Sequence, residues 1–178
     1  PYEPIDLKAI RDDTQRREVF GPLMASTDPA KSMRDTAAFL DFLSAQPEVK
    51  GQKVGVTGYC MGGGMALRAA GTFPERIVAS ASFHGGNLAT DADTSPHLLA
   101  RRIKAKVLVA GADEDRSFDE AQAERLGQAL KDAGVEAEVV IYRGAKHGYA
   151  PPDMAAYDRE ASERHWREMT ALFAETLG

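Results

Sequence analysis

The stretch Gly58-Tyr59-Cys60-Met61-Gly62-Gly63-Gly64 decides how this chain is read. Before it lies Lys53-Val54-Gly55-Val56-Thr57, short, apolar and β-branched, which reads as a buried strand. After it lies Ala66-Leu67-Arg68-Ala69-Ala70, the start of a helix of small residues. A strand, a tight glycine-rich turn and a helix form the setting of a nucleophile elbow, with cysteine in the nucleophile position. Such a turn holds its nucleophile in strained backbone. The positions two residues to either side must then be nearly free of side chain, and Gly58 and Gly62 meet that need. The helix begins just past Cys60, so its positive end faces the sulfur and favours thiolate. The backbone N–H of Met61 points where an oxyanion would form.

Two blander readings fit the same seven residues. One is a tight turn around a small buried hydrophobe, because free cysteine is among the most buried residue types. The other is a phosphate cradle. Against the cradle, the chain has neither the Lys-Ser/Thr ending of a P-loop nor a clean G-x-G-x-x-G with an acidic residue about 20 positions on.

The order of elements around the elbow favours catalysis. Asp28 suits a helix N-cap and Pro29 the first helical position. Met33, Ala37, Leu40 and Leu43 then recur at helical spacing, widened by Phe39 and Phe42, to an end near Gln46. Residues 1–29 read as irregular with one short helix. Beyond the elbow, Ile77 to Phe83 reads as a second strand, Leu98 to Ile103 as a short helix and Ala105 to Ala110 as a third strand. Ser117 and Glu120 have capping-box spacing, and Gly134 can end the helix they open. Glu138 to Tyr142 reads as a fourth strand. A last helix follows from about Met154 to Leu177, with Trp166, Met169, Phe173 and Leu177 on one face.

Strands alternating with helices predict an α/β fold: a mostly parallel sheet flanked by helices, as one domain over 1–178. In such a sheet the site gathers at the C-terminal ends of the strands. The third strand ends in Gly111-Ala112-Asp113-Glu114-Asp115-Arg116, and the fourth in Gly144-Ala145-Lys146-His147-Gly148-Tyr149. Nucleophile, acid and histidine thus occur in the chain order an α/β-hydrolase requires. Cys60, one carboxylate of the first loop (Asp113, Glu114 or Asp115) and His147 are expected to meet. Of the other histidines, His97 in a polar loop reads as solvated and His165 as surface or packing. His84, in Ser82-Phe83-His84-Gly85-Gly86, is a candidate pocket wall. Their spacing supports no metal site.

Composition bounds the rest. The chain has 178 residues and a formal charge of −5, with 43% hydrophobic and 28% charged residues. That is an ordinary globular balance, and a mildly acidic chain without a basic block is a poor nucleic-acid binder. No apolar run approaches the ~20 residues of a membrane span. The single cysteine excludes an internal disulfide and suits a reducing, cytoplasmic setting. Pro1-Tyr2-Glu3-Pro4 reads as mid-protein loop, so an N-terminally incomplete chain is expected.

These motifs together resemble the dienelactone hydrolase family of α/β-hydrolases. The resemblance runs from about Phe20 to the end. Its most specific parts are Gly58 to Gly63, Ser82 to Gly86, Glu114-Asp115-Arg116-Ser117-Phe118 and His147-Gly148-Tyr149. It implies Cys60 as nucleophile, His147 as general base, Asp115 as the acid and the Met61 N–H as an oxyanion donor. Tyr59, His84 and Tyr149 would be pocket walls, and no metal or organic cofactor is implied. The family sheet has about eight strands, so the resemblance also implies that the early strands are missing here. They would bring a second oxyanion N–H and a carboxylate that helps ionise the cysteine. The founding type of enzyme carries an arginine four residues after the histidine, where this chain has Pro151. That points away from dienelactone itself toward another small ester or lactone. The chain would act as a monomer or homodimer. Two other classes stay open. One is a non-catalytic or inactive protein on the same fold; the other is a redox-sensing thiol protein, though no second cysteine could resolve a sulfenic acid.

Overall fold

The computed structural model describes residue 10 and residues 12–178. Pro1-Tyr2-Glu3-Pro4 lies outside them. Helix α1 (Asp13–Ser26) and helix α2 (Pro29–Ser44) come first. Strand β1 (Val54–Tyr59), helix α3 (Met61–Thr72) and strand β2 (Ile77–Phe83) follow. A 3-10 turn over Pro96–Arg102 leads to strand β3 (Lys106–Ala112), helix α4 (Glu120–Asp132), strand β4 (Ala137–Tyr142) and helix α5 (Arg159–Leu177).

The four strands form one sheet in the order β1-β2-β3-β4, every pair parallel. The register aligns Tyr59 with Phe83, Phe83 with Ala110, and Ala112 with Tyr142. Strand ends that carry the elbow, the acidic loop and the histidine loop therefore share one edge. This is the expected α/β-hydrolase-type architecture.

Each face of the sheet buries its own core. One lies under α3, α4 and the 3-10 turn, built on Leu67, Ile77, Val107, Val109, Phe118 and Leu126. The other lies under α5 alone, built on Phe83, Leu108, Tyr142, Tyr149, Met169 and Leu172. Strand β2, covered on both faces, is buried almost throughout. Strand β1 is only half-buried, contrary to the expectation of a buried strand. Among the described residues it pairs on one side only, so its other edge is open.

Local chemistry explains the helix starts. The Asp28 carboxylate accepts from the Lys31 N–H at 2.8 Å, with Pro29 opening α2. At α4 the cap is Asp119, which accepts from the Gln122 N–H at 2.9 Å. Ser117 was the expected cap. Its hydroxyl instead donates to Asp115 at 2.7 Å. Gly134, at φ 73°, ends the segment as expected.

Three helices differ from expectation. The 14-residue α1 replaces a mostly irregular segment; it is capped by Asp12 and carries Pro22 within it. Most of its described side chains are exposed, so it has no apolar period to read. On α2 only Leu40 is buried, while Phe39 and Phe42 stand 66% and 63% exposed. On α5 the inner face is Ala161, Ser162, His165, Met169 and Leu172, and Trp166 points outward. A polar residue, His165, took the place the aromatic residue was expected to fill. Among the described residues no helix is long and apolar enough to cross a membrane.

Candidate active site

Strand β1 delivers Tyr59 and stops, because Cys60 turns sharply at φ 53° and ψ −122°. A non-glycine residue at positive φ is strained and persists only where its surroundings hold it. The Cys60 N–H donates to the Phe83 carbonyl at 3.2 Å, and its carbonyl accepts from the Gly63 N–H at 3.1 Å. A Cβ on Gly58 would lie 1.9 Å from the Gly62 carbonyl oxygen, so only glycine fits there. At Gly62 the space is open, so the expected crowding exists on one side of the turn only. The thiol itself is exposed.

The acidic loop beyond β3 presents two aspartates in different directions. Asp115 Oδ1 accepts from the Ser117 N–H at 2.9 Å and the Ser117 hydroxyl at 2.7 Å. Its Oδ2 lies 2.6 Å from Nδ1 of His147. Asp113 turns the other way. It accepts from Arg143 at 3.1 Å and from the Gly144 N–H at 2.8 Å, tying the acidic loop to the histidine loop. Asp115, not Asp113, is thus the carboxylate against His147.

With Nδ1 committed to Asp115, Nε2 is the ring nitrogen left for Cys60. The hydrogen bond with His147 lowers the Cys60 pKa below its ordinary 9.0; burial opposes this, and the Met61 N–H assists. Reciprocally, the hydrogen bond with Cys60 raises His147 to about 9, with Asp115 adding to it against burial. Burial pushes Asp115 up, but hydrogen bonds from Ser117 and His147 outweigh it and hold the carboxyl below its ordinary value. Both shifts run the same way, toward thiolate on Cys60 and imidazolium on His147, an ionised nucleophile beside a proton donor.

These groups open into a cleft of about 640 Å³ between the strand ends, the outer face of α3 and the α1–α2 junction. Cys60, Met61, Asp115 and His147 line it. The three residues expected as pocket walls do not. Tyr149 is fully buried and donates its hydroxyl to the Ala110 carbonyl at 3.1 Å. The Tyr59 hydroxyl lies 3.0 Å from Nε2 of His165, whose Nδ1 meets the Ser162 carbonyl. His84 is 3% exposed, and neither ring nitrogen has a partner. Its ring stands 5.1 Å from that of His147 and 5.0 Å from that of Tyr149, centroid to centroid. All three back the site rather than face the cleft. His97, expected to be solvated, is half-buried with Nδ1 2.8 Å from the Ser95 hydroxyl.

Sequence reading missed Ser117 as the second support of Asp115, His165 as the anchor of Tyr59, and Arg68 as a cleft residue. The first was legible in hindsight of spacing alone, since Asp-x-Ser is the pattern of a side chain bonding two residues on. Among the described residues, no group of three or more His, Cys, Asp or Glu side chains is placed to hold a metal ion.

Comparison with known proteins places this arrangement. The family described as Dienelactone hydrolase family matches residues 7–177. Protein usf of Aquifex pyrophilus is 30% identical over 141 residues, covering 79% of this chain and 58% of that protein. A dienelactone hydrolase-like promiscuous phosphotriesterase from metagenomic libraries is 29% identical with a TM-score of 0.71, over 96% of this chain and 69% of that one. A dienelactone hydrolase from Anabaena variabilis shares the fold at a TM-score of 0.56 and 24% identity, over 77% of this chain and 56% of that one. The chain spans 58 to 63% of the length of the first curated relatives it matches.

Proposed function

Because this chain belongs to the dienelactone hydrolase family, we propose that it hydrolyses an ester or lactone of a small organic acid through Cys60, His147 and Asp115. One observation supports the reading: a strained cysteine at a helix start shares a cleft and a pKa-lowering hydrogen bond with a histidine that an aspartate holds at 2.6 Å.

The Cys60 thiolate attacks the carbonyl carbon, and the carbonyl π pair moves onto oxygen. The Met61 N–H, which has no intrahelical acceptor in the first turn of α3, turns from the spent thiolate to that oxyanion. Such a donor is typically worth ~3 kcal/mol. The tetrahedral adduct collapses, the C–O bond to the alcohol breaks, and His147 gives its proton to the leaving alkoxide. A thioester and neutral His147 remain. His147 then takes a proton from water as the water oxygen attacks the thioester. Collapse expels the Cys60 thiolate and the carboxylic acid, restoring the starting ion pair. Asp115 keeps the imidazole in the right tautomer and orientation throughout. For a lactone the alcohol stays tethered, so the product is a single hydroxy acid or its keto form. A lone thiolate-forming cysteine suits a reducing cytoplasm, and the domain would act alone or paired with a second copy.

Intact-protein mass spectrometry after mixing with p-nitrophenyl acetate tests this. A transient acetyl adduct on the wild type, absent from Cys60→Ala, supports it. Ester turnover undiminished in Cys60→Ala, or no adduct and no turnover, overturns it.

A further inference from the structure

The outer face of α3 runs from Met61 through Gly64 and Met65 to Arg68, and all four line the cleft that holds Cys60. Eight residues separate Cys60 from Arg68, which at the α-helical rise is about 12 Å along the axis. Arg68 is half-buried, yet among the described residues it has no hydrogen bond and no ion pair. Other arginines of the fold are engaged: Arg76 by the Gln52 and Leu40 carbonyls, Arg125 by Asp91, Arg143 by Asp113 and Glu120, and Arg164 by Glu168. Among the described residues burial alone acts on the Arg68 guanidinium, lowering its pKa, and none of their carboxylates offsets it. A cation in that position ordinarily finds a counter-charge.

The wall between the thiol and the guanidinium is apolar and adaptable, with Met24, Met61 and Met65 facing the cleft. The cleft's other arginine, Arg116, is exposed and adjoins Asp115 at the reacting end, where His147 also lies. We propose that Arg68 is a specificity residue that receives a carboxylate carried at the end of an apolar chain of the ester, two helical turns from the bond that is cut. A guanidinium presents a planar fork that matches a carboxylate, and its single charge suits a monoanion better than a phosphate dianion. The substrate class is then a half-ester of a medium-length dicarboxylic acid, or the ester of a medium-length hydroxy acid. The inference rests on Cys60 being the group that accepts the acyl chain.

Two substrate series test it. The first compares p-nitrophenyl half-esters of succinic, adipic, suberic and sebacic acids with the p-nitrophenyl esters of the matching monocarboxylic acids. The second compares acetate esters of hydroxy acids of the same lengths with the matching alkyl acetates. In at least one series the acid-to-neutral ratio of kcat/KM rises with chain length and passes about tenfold for the longer members. Arg68→Met brings that ratio close to unity, whereas Arg68→Lys keeps most of it. The chain-length trend is read on the wild type, so it stands even where a variant folds poorly. A ratio at or below unity at every length in both series, or one that Arg68→Met leaves unchanged, overturns the inference while the hydrolase reading survives. If no ester of either kind acylates Cys60, both fall together.

Discussion

The rings of His84 and His147 stand 5.1 Å apart, yet they settle on opposite sides of neutrality. His147 is raised to about 9 by its hydrogen bonds with Cys60 and Asp115, against burial. His84 is lowered to about 4, first by burial and then by the charge on His147. The buried ring stays neutral, so the imidazolium beside it has no competing cation.

Stability should follow His84 in acid. Its folded pKa lies below the ordinary 6.5, so between pH 6.5 and 4 the unfolded chain binds a proton that the folded chain does not. Stability present above pH 6.5 is therefore lost as pH falls toward 4, by about 3 kcal/mol at most. Urea unfolding of wild type and His84→Phe across that range checks this. The variant keeps an aromatic ring in place, and its stability should change less with pH. Equal slopes would remove the assignment.

Between pH 6.5 and 9 the two members of the nucleophile pair should oppose each other in the same measurement. Folding raises the His147 pKa and lowers that of Cys60, so the proton gained at the imidazole is offset by release from the thiol. The pair shows itself instead in chemistry. The rate of alkylation by iodoacetamide should reach half its maximum below the ordinary thiol value of 9.0. His147→Gln removes the largest cause of that shift, so the midpoint should move up. A midpoint unmoved by the substitution would mean that the helix end, not His147, ionises Cys60.

The two aspartates should separate cleanly. Asp115→Asn takes the charge from a carboxylate that both holds Nδ1 and is itself held by Ser117. Ester kcat/KM should fall by about 10²- to 10⁴-fold. Asp113 faces Arg143 and Gly144, so Asp113→Asn should stay within a few-fold of wild type. Comparable losses in the two variants would contradict the geometry.

The glycines of the elbow should also separate. Gly58→Ala drives a Cβ into the Gly62 carbonyl and should destabilise the fold by about 3 kcal/mol or more. Gly62→Ala meets open space within a helix, so it should be neutral or stabilising by up to about 1 kcal/mol. Thermal melts of the two variants decide it, and a strongly destabilised Gly62→Ala would show that the turn is tighter than described.

The sheet was legible because its strands are short β-branched runs bounded by glycine and polar turns. Ile77 to Phe83 matches its strand end to end. The meeting of Cys60, Asp115 and His147 followed from placing three loops on one sheet edge, a matter of topology rather than of any one motif. What stayed hidden depended on depth. Tyr59, His84 and Tyr149 flank the site in sequence, but alternation along a strand does not say how far a side chain sinks, and all three back the site. Helix α1 was hidden for the opposite reason, since an exposed helix has no apolar stripe. On α5 Met169 is buried and Phe173 packs against the core as the stripe predicts, while its two ends differ: Trp166 and Leu177 are exposed, and the inner place beside Trp166 goes to His165, which reads as polar until Tyr59 satisfies it.

Among the described residues α5 is the helix that covers the second face of the sheet, reaching across β1, β2 and β3. The consequence lies in the order of events during synthesis. Strands, elbow and acidic loop are all made before Arg159–Leu177, yet half of the core they form has no lid until that segment arrives. A nascent chain halted after β4 would expose Phe83, Leu108 and Tyr142 as one apolar surface, the kind of surface that chaperones bind and aggregates grow from. The contacts that close this core join sequence positions about a hundred residues apart, such as Tyr59 and His165. Completion is therefore expected to be late, slow and cooperative.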